Sequence, residues 1–222
     1  MMFHIMVKER YPNNRVSTIR FNICVILVGL LGNLVAMAEH EPETIGKTPQ
    51  QCRMGCESAY GIELGKSPVG IPAYSNCNAD CVIFEPHHFN GVEYARRWLL
   101  REKSVVFGDV DIAADIWSMQ QVENPINKLT LEFVSIVNGS AEVPQRGDLL
   151  IYGKDYLGTG HVAVVIGVDE EKQKIQIAEQ NYANTKWQNE YAREINYIFS
   201  DKRVWLLDGY LIGWKRVLTV KH

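Results

Sequence analysis

The sequence predicts an α+β fold in which N-terminal helices pack on an antiparallel sheet, and three observations predict it. Tyr94, Ala95, Trp98 and Leu99 recur at helical spacing, with Arg96, Arg97 and Arg101 off that stripe. His161–Val168 is a β-branched, almost wholly apolar run, as a central strand requires. Lys174–Gln180 places Ile175 and Ile177 opposite Gln176 and Ala178, the two-residue period of a strand.

Taken in order, the chain opens on a basic lead with Lys8, Arg10, Arg15 and Arg20, followed by an uncharged stretch over 21–38 that ends Ala36-Met-Ala38. That is the pattern of a secretory signal peptide cleaved after Ala38, the alternative being an uncleaved anchor. A membrane is a partner only in the second case. Residues 39–64 are polar and read as a linker or extension. Residues 65–90 hold Gly65, Pro68, Gly70, Pro72, Asn76, Asn78, Pro86 and Asn90, the density of turn-formers expected of a long ordered loop.

The first helix covers Glu93–Arg101. A second is expected over Ile112–Val122, with Asp109 and Asp111 suited to its start. Pro144–Gly147 and Gly158–Gly160 read as turns. Asp148–Tyr152 and Tyr210–Val217 read as further strands, and 218–222 as a tail.

Hydrophobic residues make up 46% and charged residues 22% of the chain, an ordinary globular balance. The formal charge of −3 gives no reason to expect a nucleic-acid partner. Loss of a leader would remove Cys24 and leave Cys52, Cys56, Cys77 and Cys81, two C-x3-C pairs. An even count after export suits disulfides, formed within each pair or between the pairs. Zinc and free thiols are the competing readings, and no metal or other cofactor is expected.

Two polar segments end the predicted strands: Gly160-His161 and Glu179-Gln180-Asn181. A hairpin of those strands brings Glu179 close to His161. A carboxylate that fixes an imidazole, and an imidazole that takes a nucleophile's proton, are two parts of a hydrolytic triad.

Six phrases then come in order: Gly70–Asn76, Val92–Leu100, Gly147–Tyr152, Thr159–Ala163, Ile177–Asn181 and Ile212–Trp214. Together they resemble the amidase domain of glutathionylspermidine and trypanothione synthetases, a papain-like CHAP domain related to D-alanyl-glycyl endopeptidases. The resemblance covers 65–217. It implies His161 and Glu179 as catalytic base and orienting acid, and Arg96 and Asn181 as contacts to a peptide or glutathionyl-polyamine ligand. No ligase segment is expected in these residues.

The resemblance also implies a cysteine at the start of the first helix, where this chain has Gly91. Hydrolysis of glutathionylspermidine or of a D-alanyl-glycyl peptide is the inherited chemistry, and loss of the nucleophile implies an impaired, ligand-binding form. The alternatives are a relocated cysteine, Cys77 or Cys81, or a catalytic segment lost from the gene model. Ser75, or a metal held by His87, His88 and His161, are weaker substitutes.

Overall fold

The computed structural model describes residues 55–78 and 90–218, together with the backbone of two strands, β1 (Met6–Arg10) and β2 (Val16–Arg20). The apolar stretch over 21–38, Cys52, Cys81, His87 and His88 lie outside the described residues. The chain divides into two compact units, 1–43 and 44–222. In the first, β1 and β2 pair antiparallel, Met6 opposite Arg20. No helix among the described residues is long and apolar enough to cross a membrane.

The second unit begins with a small antiparallel pair, β3 (Glu63–Lys66) and β4 (Pro72–Tyr74). The expected 65–90 loop therefore contains strand. A disulfide between Cys56 and Cys77 ties this region together. It joins the two C-x3-C pairs to each other, which removes local closure, zinc ligation and a free thiol for these two cysteines.

Helix α1 (Gly91–Lys103) starts at Asn90, whose Oδ1 accepts a hydrogen bond from Glu93 N at 2.9 Å. That bond satisfies an amide left unpaired by the helical pattern. Glu93 in the first turn and Arg101 and Lys103 in the last complement the helix dipole. Ser104 ends the helix in the left-handed conformation, φ 55°. The stripe of Tyr94, Ala95, Trp98 and Leu99 is buried as the spacing predicts, and α1 packs on the strand His161–Asp169.

The second expected helix is absent. Residues Ala113–Ser118 form a short 3-10 turn, and the following residues become β5 (Gln121–Glu123). Two interactions account for this. Lys215 Nζ donates to the carbonyls of Trp117 and Met119, which a continuing helix would need. Glu123 N donates to Val106 O at 2.8 Å, drawing the chain into extended pairing. Nor do the aspartates cap the turn: its N-cap is Ile112, without a side-chain bond, while Asp109 pairs with Arg96. The N-terminal helical layer is thus one α-helix and one 3-10 turn among the described residues.

The remaining strands are β6 (Thr130–Val137), β7 (Leu149–Tyr152), β8 (His161–Asp169), β9 (Lys174–Ala178), β10 (Arg193–Ser200), β11 (Arg203–Leu206) and β12 (Leu211–Val217). With β5 they form an eight-stranded sheet, ordered β11-β10-β9-β8-β7-β12-β6-β5, in which neighbours run antiparallel. The sheet curls until the end of β6 meets β11. Ser140 bridges Val204, and the Asn138 side chain exchanges two hydrogen bonds with the backbone of Leu206, at 3.1 and 2.9 Å.

Curling separates two cores. Outside the curl, Val162, Val164, Leu149 and Ile151 pack against Tyr94, Ala95, Trp98 and Leu99 of α1. Inside it, Ala163, Val165, Ile175, Ile177, Ile195, Tyr197 and Trp214 form a second cluster. Strand alternation then dictates what lies at one end of the inner core. His161 shares its face with Ala163 and Val165, Glu179 with Ile175 and Ile177, and Arg193 with Ile195 and Tyr197.

Candidate active site

That shared face produces one polar layer capping the inner core. His161 opens β8, Glu179 follows the last residue of β9, and Arg193 opens β10. Gly160 delivers the chain to His161 with φ +71°, and a Cβ there would run into the Tyr152 carbonyl and Ala114.

His161 Nε2 lies 2.9 Å from Glu179 Oε2, and each residue is only 4% exposed. Glu179 Oε1 accepts from Arg193 Nε at 2.7 Å. Burial alone would push the Glu179 carboxyl up; the bond to His161 and the charges of His161 and Arg193 outweigh it and hold it below the ordinary glutamate value. An ionised Glu179 is acceptor-only, so Nε2 carries the proton. That leaves Nδ1, which forms no hydrogen bond among the described residues.

Nδ1 faces the first residue of α1. A Cβ on Gly91 would stand 3.2 Å from His161 Nδ1 and 2.9 Å from the Val162 carbonyl oxygen. The helix start is held there by Gln180. Its Nε2 donates to Asn90 O at 3.1 Å and to Glu93 Oε2 at 2.9 Å, while its Oε1 accepts from Tyr74 N at 2.8 Å.

Tyrosines wall the imidazole. The ring centres of Tyr152, Tyr156 and Tyr182 lie 5.4, 5.9 and 5.4 Å from that of His161. Burial pushes the Tyr156 hydroxyl up to about 12 and also raises Tyr152 well above the ordinary tyrosine value, helped by the Glu179 carboxylate. These phenols stay protonated through the physiological range.

The structure brings together His161, Glu179 and Gly91 of the residues singled out in the sequence. Arg96 is engaged by its own neighbours: it donates to Gly108 O, pairs with Asp109 at 3.0 Å and lies over the Phe107 ring at 4.9 Å. Asn181, with φ 58°, accepts from Asn184 Nδ2 at 3.2 Å, and Asn184 Oδ1 accepts from Asn76 N at 2.8 Å. It therefore braces the loop after β9. Cys77 is spent in its disulfide, and Ser75 is fully buried, its hydroxyl donating to Ser58 O at 2.7 Å.

Sequence reasoning missed Arg193, Asp208, Tyr152 and Tyr182, and gave Gln180 no role of its own. A signal existed for one: Arg193 begins an alternating run whose next inward residues, Ile195 and Tyr197, are apolar, and a cation in that series needs a buried anion.

Comparison with known proteins agrees with this geometry. Residues 76–181 match the model of the CHAP domain, a span holding α1, His161 and Glu179. The trypanothione synthetase of Crithidia fasciculata is 30% identical over 158 residues, covering 67% of this chain and 24% of that protein. The bifunctional glutathionylspermidine synthetase/amidase of Escherichia coli is 29% identical over 182 residues, covering 71% of this chain and 29% of that protein. This chain thus spans well under a third of the length of either relative. The paired His161 and Glu179 on adjacent strands, the helix start facing them and these matches lead to one conclusion: the chain carries a CHAP domain.

Proposed function

We propose that this domain is an amidase- or peptidase-type fold that binds an amide-bearing ligand, a peptide or a glutathionyl-polyamine, without turning it over. His161 and Glu179 hold the places of base and orienting acid, and Gly91 occupies the nucleophile's place. The observation that carries this reading is the 3.2 Å separation between a Cβ at Gly91 and His161 Nδ1. A side chain borne there would meet Nδ1 of the imidazole at the positive end of a helix, the setting that favours a thiolate. Glycine provides no atom to form an acyl-enzyme.

The alternative is an active thiol enzyme with a relocated cysteine. The Cys56–Cys77 disulfide weighs against Cys77 in that role and leaves Cys81 as its candidate. The same disulfide supports an oxidising compartment, and with it an exported protein whose leader precedes residue 39. On this reading 39–64 is an extension and 65–217 the functional domain.

The test is to offer the purified protein glutathionylspermidine and glycine-bridged peptidoglycan peptides, following both binding and hydrolysis. Binding without hydrolysis is expected, unchanged by iodoacetamide. Hydrolysis that iodoacetamide abolishes would overturn the reading in favour of a relocated cysteine.

A further inference from the structure

We propose that Arg193 is the positioning residue of this site, fixing Glu179 and, through it, the imidazole of His161. The inference rests on the reading of His161 and Glu179 as a functional pair. Arg193 lies outside the span matching the CHAP model, on β10, where it pairs in register with Ile177.

Its guanidinium is held at each nitrogen. Nε donates to Glu179 Oε1 at 2.7 Å, Nη1 to Asp208 Oδ2 at 2.7 Å and Nη2 to the Tyr152 hydroxyl at 3.0 Å. Tyr152 in turn donates to Asp208 Oδ2 at 2.7 Å, which closes a ring of three side chains. The guanidinium carbon lies 4.2 Å from the centre of the Tyr182 ring, which covers its face. A planar cation gripped at its edges and over one face cannot swing, so its Nε fixes where Glu179 Oε1 lies. Glu179 Oε2 is met by His161 Nε2 at 2.9 Å and, more distantly, by Arg193 Nη2 at 3.5 Å.

Charge gives the same assignment. Glu179 is buried and Asp208 half-buried beside it, and Arg193 is the cation that pairs with both. Without it the acids repel, and Glu179 is better protonated and turned than held as an acceptor. A lysine supplies the charge but not the fork that meets three partners at fixed angles.

The experiment follows solvent exchange of the His161 Nε2 proton by NMR in the full chain labelled with 15N-histidine, the signal being assigned by its loss in His161→Gln. Glu179→Gln should accelerate exchange; if it does not, the His161–Glu179 pairing itself fails. Given that acceleration, Arg193→Met should speed exchange by about tenfold, the worth of a hydrogen bond to a charged group. Arg193→Lys should fall between the two. Exchange in Arg193→Met equal to the native rate, with Glu179→Gln accelerated, overturns the role of Arg193 alone. Should Arg193→Met not fold, Asp208→Asn carries the test, because it leaves Arg193 present but loosens Nη1. About threefold faster exchange is then expected, and a native rate overturns the inference.

Discussion

His161 and Glu179 meet at 2.9 Å although their strands do not place them opposite one another. Register runs Val164 to Ala178, so His161 falls across from Asn181, and Glu179 is its diagonal neighbour on the same face. Diagonal neighbours are within reach of long side chains. Asn181, in a left-handed turn, leaves the opposite position to backbone geometry, and the carboxylate reaches across in its stead.

Glu179 makes stability depend on acid. Its carboxyl is held below the ordinary glutamate value in the fold, so its contribution is present above that value and is lost as pH falls through the depressed one. Glu179→Gln should lower stability at pH 7 by about 3 kcal/mol, the scale for breaking a buried ion pair. The gap between native and variant should close as the pH drops below about 4. Urea unfolding across that range measures it.

Gly91→Cys should fold less stably than the native chain. A Cβ would lie 2.9 Å from the Val162 carbonyl oxygen, and that backbone belongs to a central strand. A loss of about 1–3 kcal/mol is expected, as for other overpacked positions. Gly91→Ala should lose a similar amount, and denaturant midpoints for both variants check this.

Gly160→Ala should be more damaging to the site than to the fold. Its φ of +71° and the Tyr152 carbonyl beside it both resist a side chain. A cost of about 1–3 kcal/mol is expected, with His161 displaced from Glu179. Loss of the protected imidazole proton, in a protein whose amide spectrum stays dispersed, is the measurement.

Lys215 is 1% exposed and donates to Phe133 O at 2.7 Å and Ser135 Oγ at 2.8 Å besides the carbonyls that end the 3-10 turn. Lys215→Met should destabilise by about 1–3 kcal/mol because those buried acceptors lose their donor. Amide exchange should rise first over 113–123.

The helix stripe, the central strand and the pairing of His161 with Glu179 were legible in the sequence because each depends on neighbours along the chain. Periodicity places Trp98 and Leu99 inside, and a hairpin brings two strand ends together. The missing second helix was not legible. Its apolar spacing is helical, but Lys215 and Val106, distant in sequence, take the hydrogen bonds. The partners of Arg96 were not legible for a similar reason: they lie in the loop of Gly108 and Asp109, which the pattern of α1 does not reveal. Arg193 and Asp208 join the site only because β10 and β11 complete the curl.

The junction of β6 with β11 also bears on the order of folding. Asn138 and Leu206 are 68 residues apart, and the strands between them must be laid down before they can join. Contacts so distant in sequence form late and slow the folding of the whole. His161, Glu179 and Arg193 lie within that interval, and Asp208 two residues beyond it. A ribosome-bound chain that has emerged only through Asn181 holds His161 and Glu179 but not Arg193 or Asp208. The polar cap is therefore a late product of synthesis, completed after the helix that faces it has already been made.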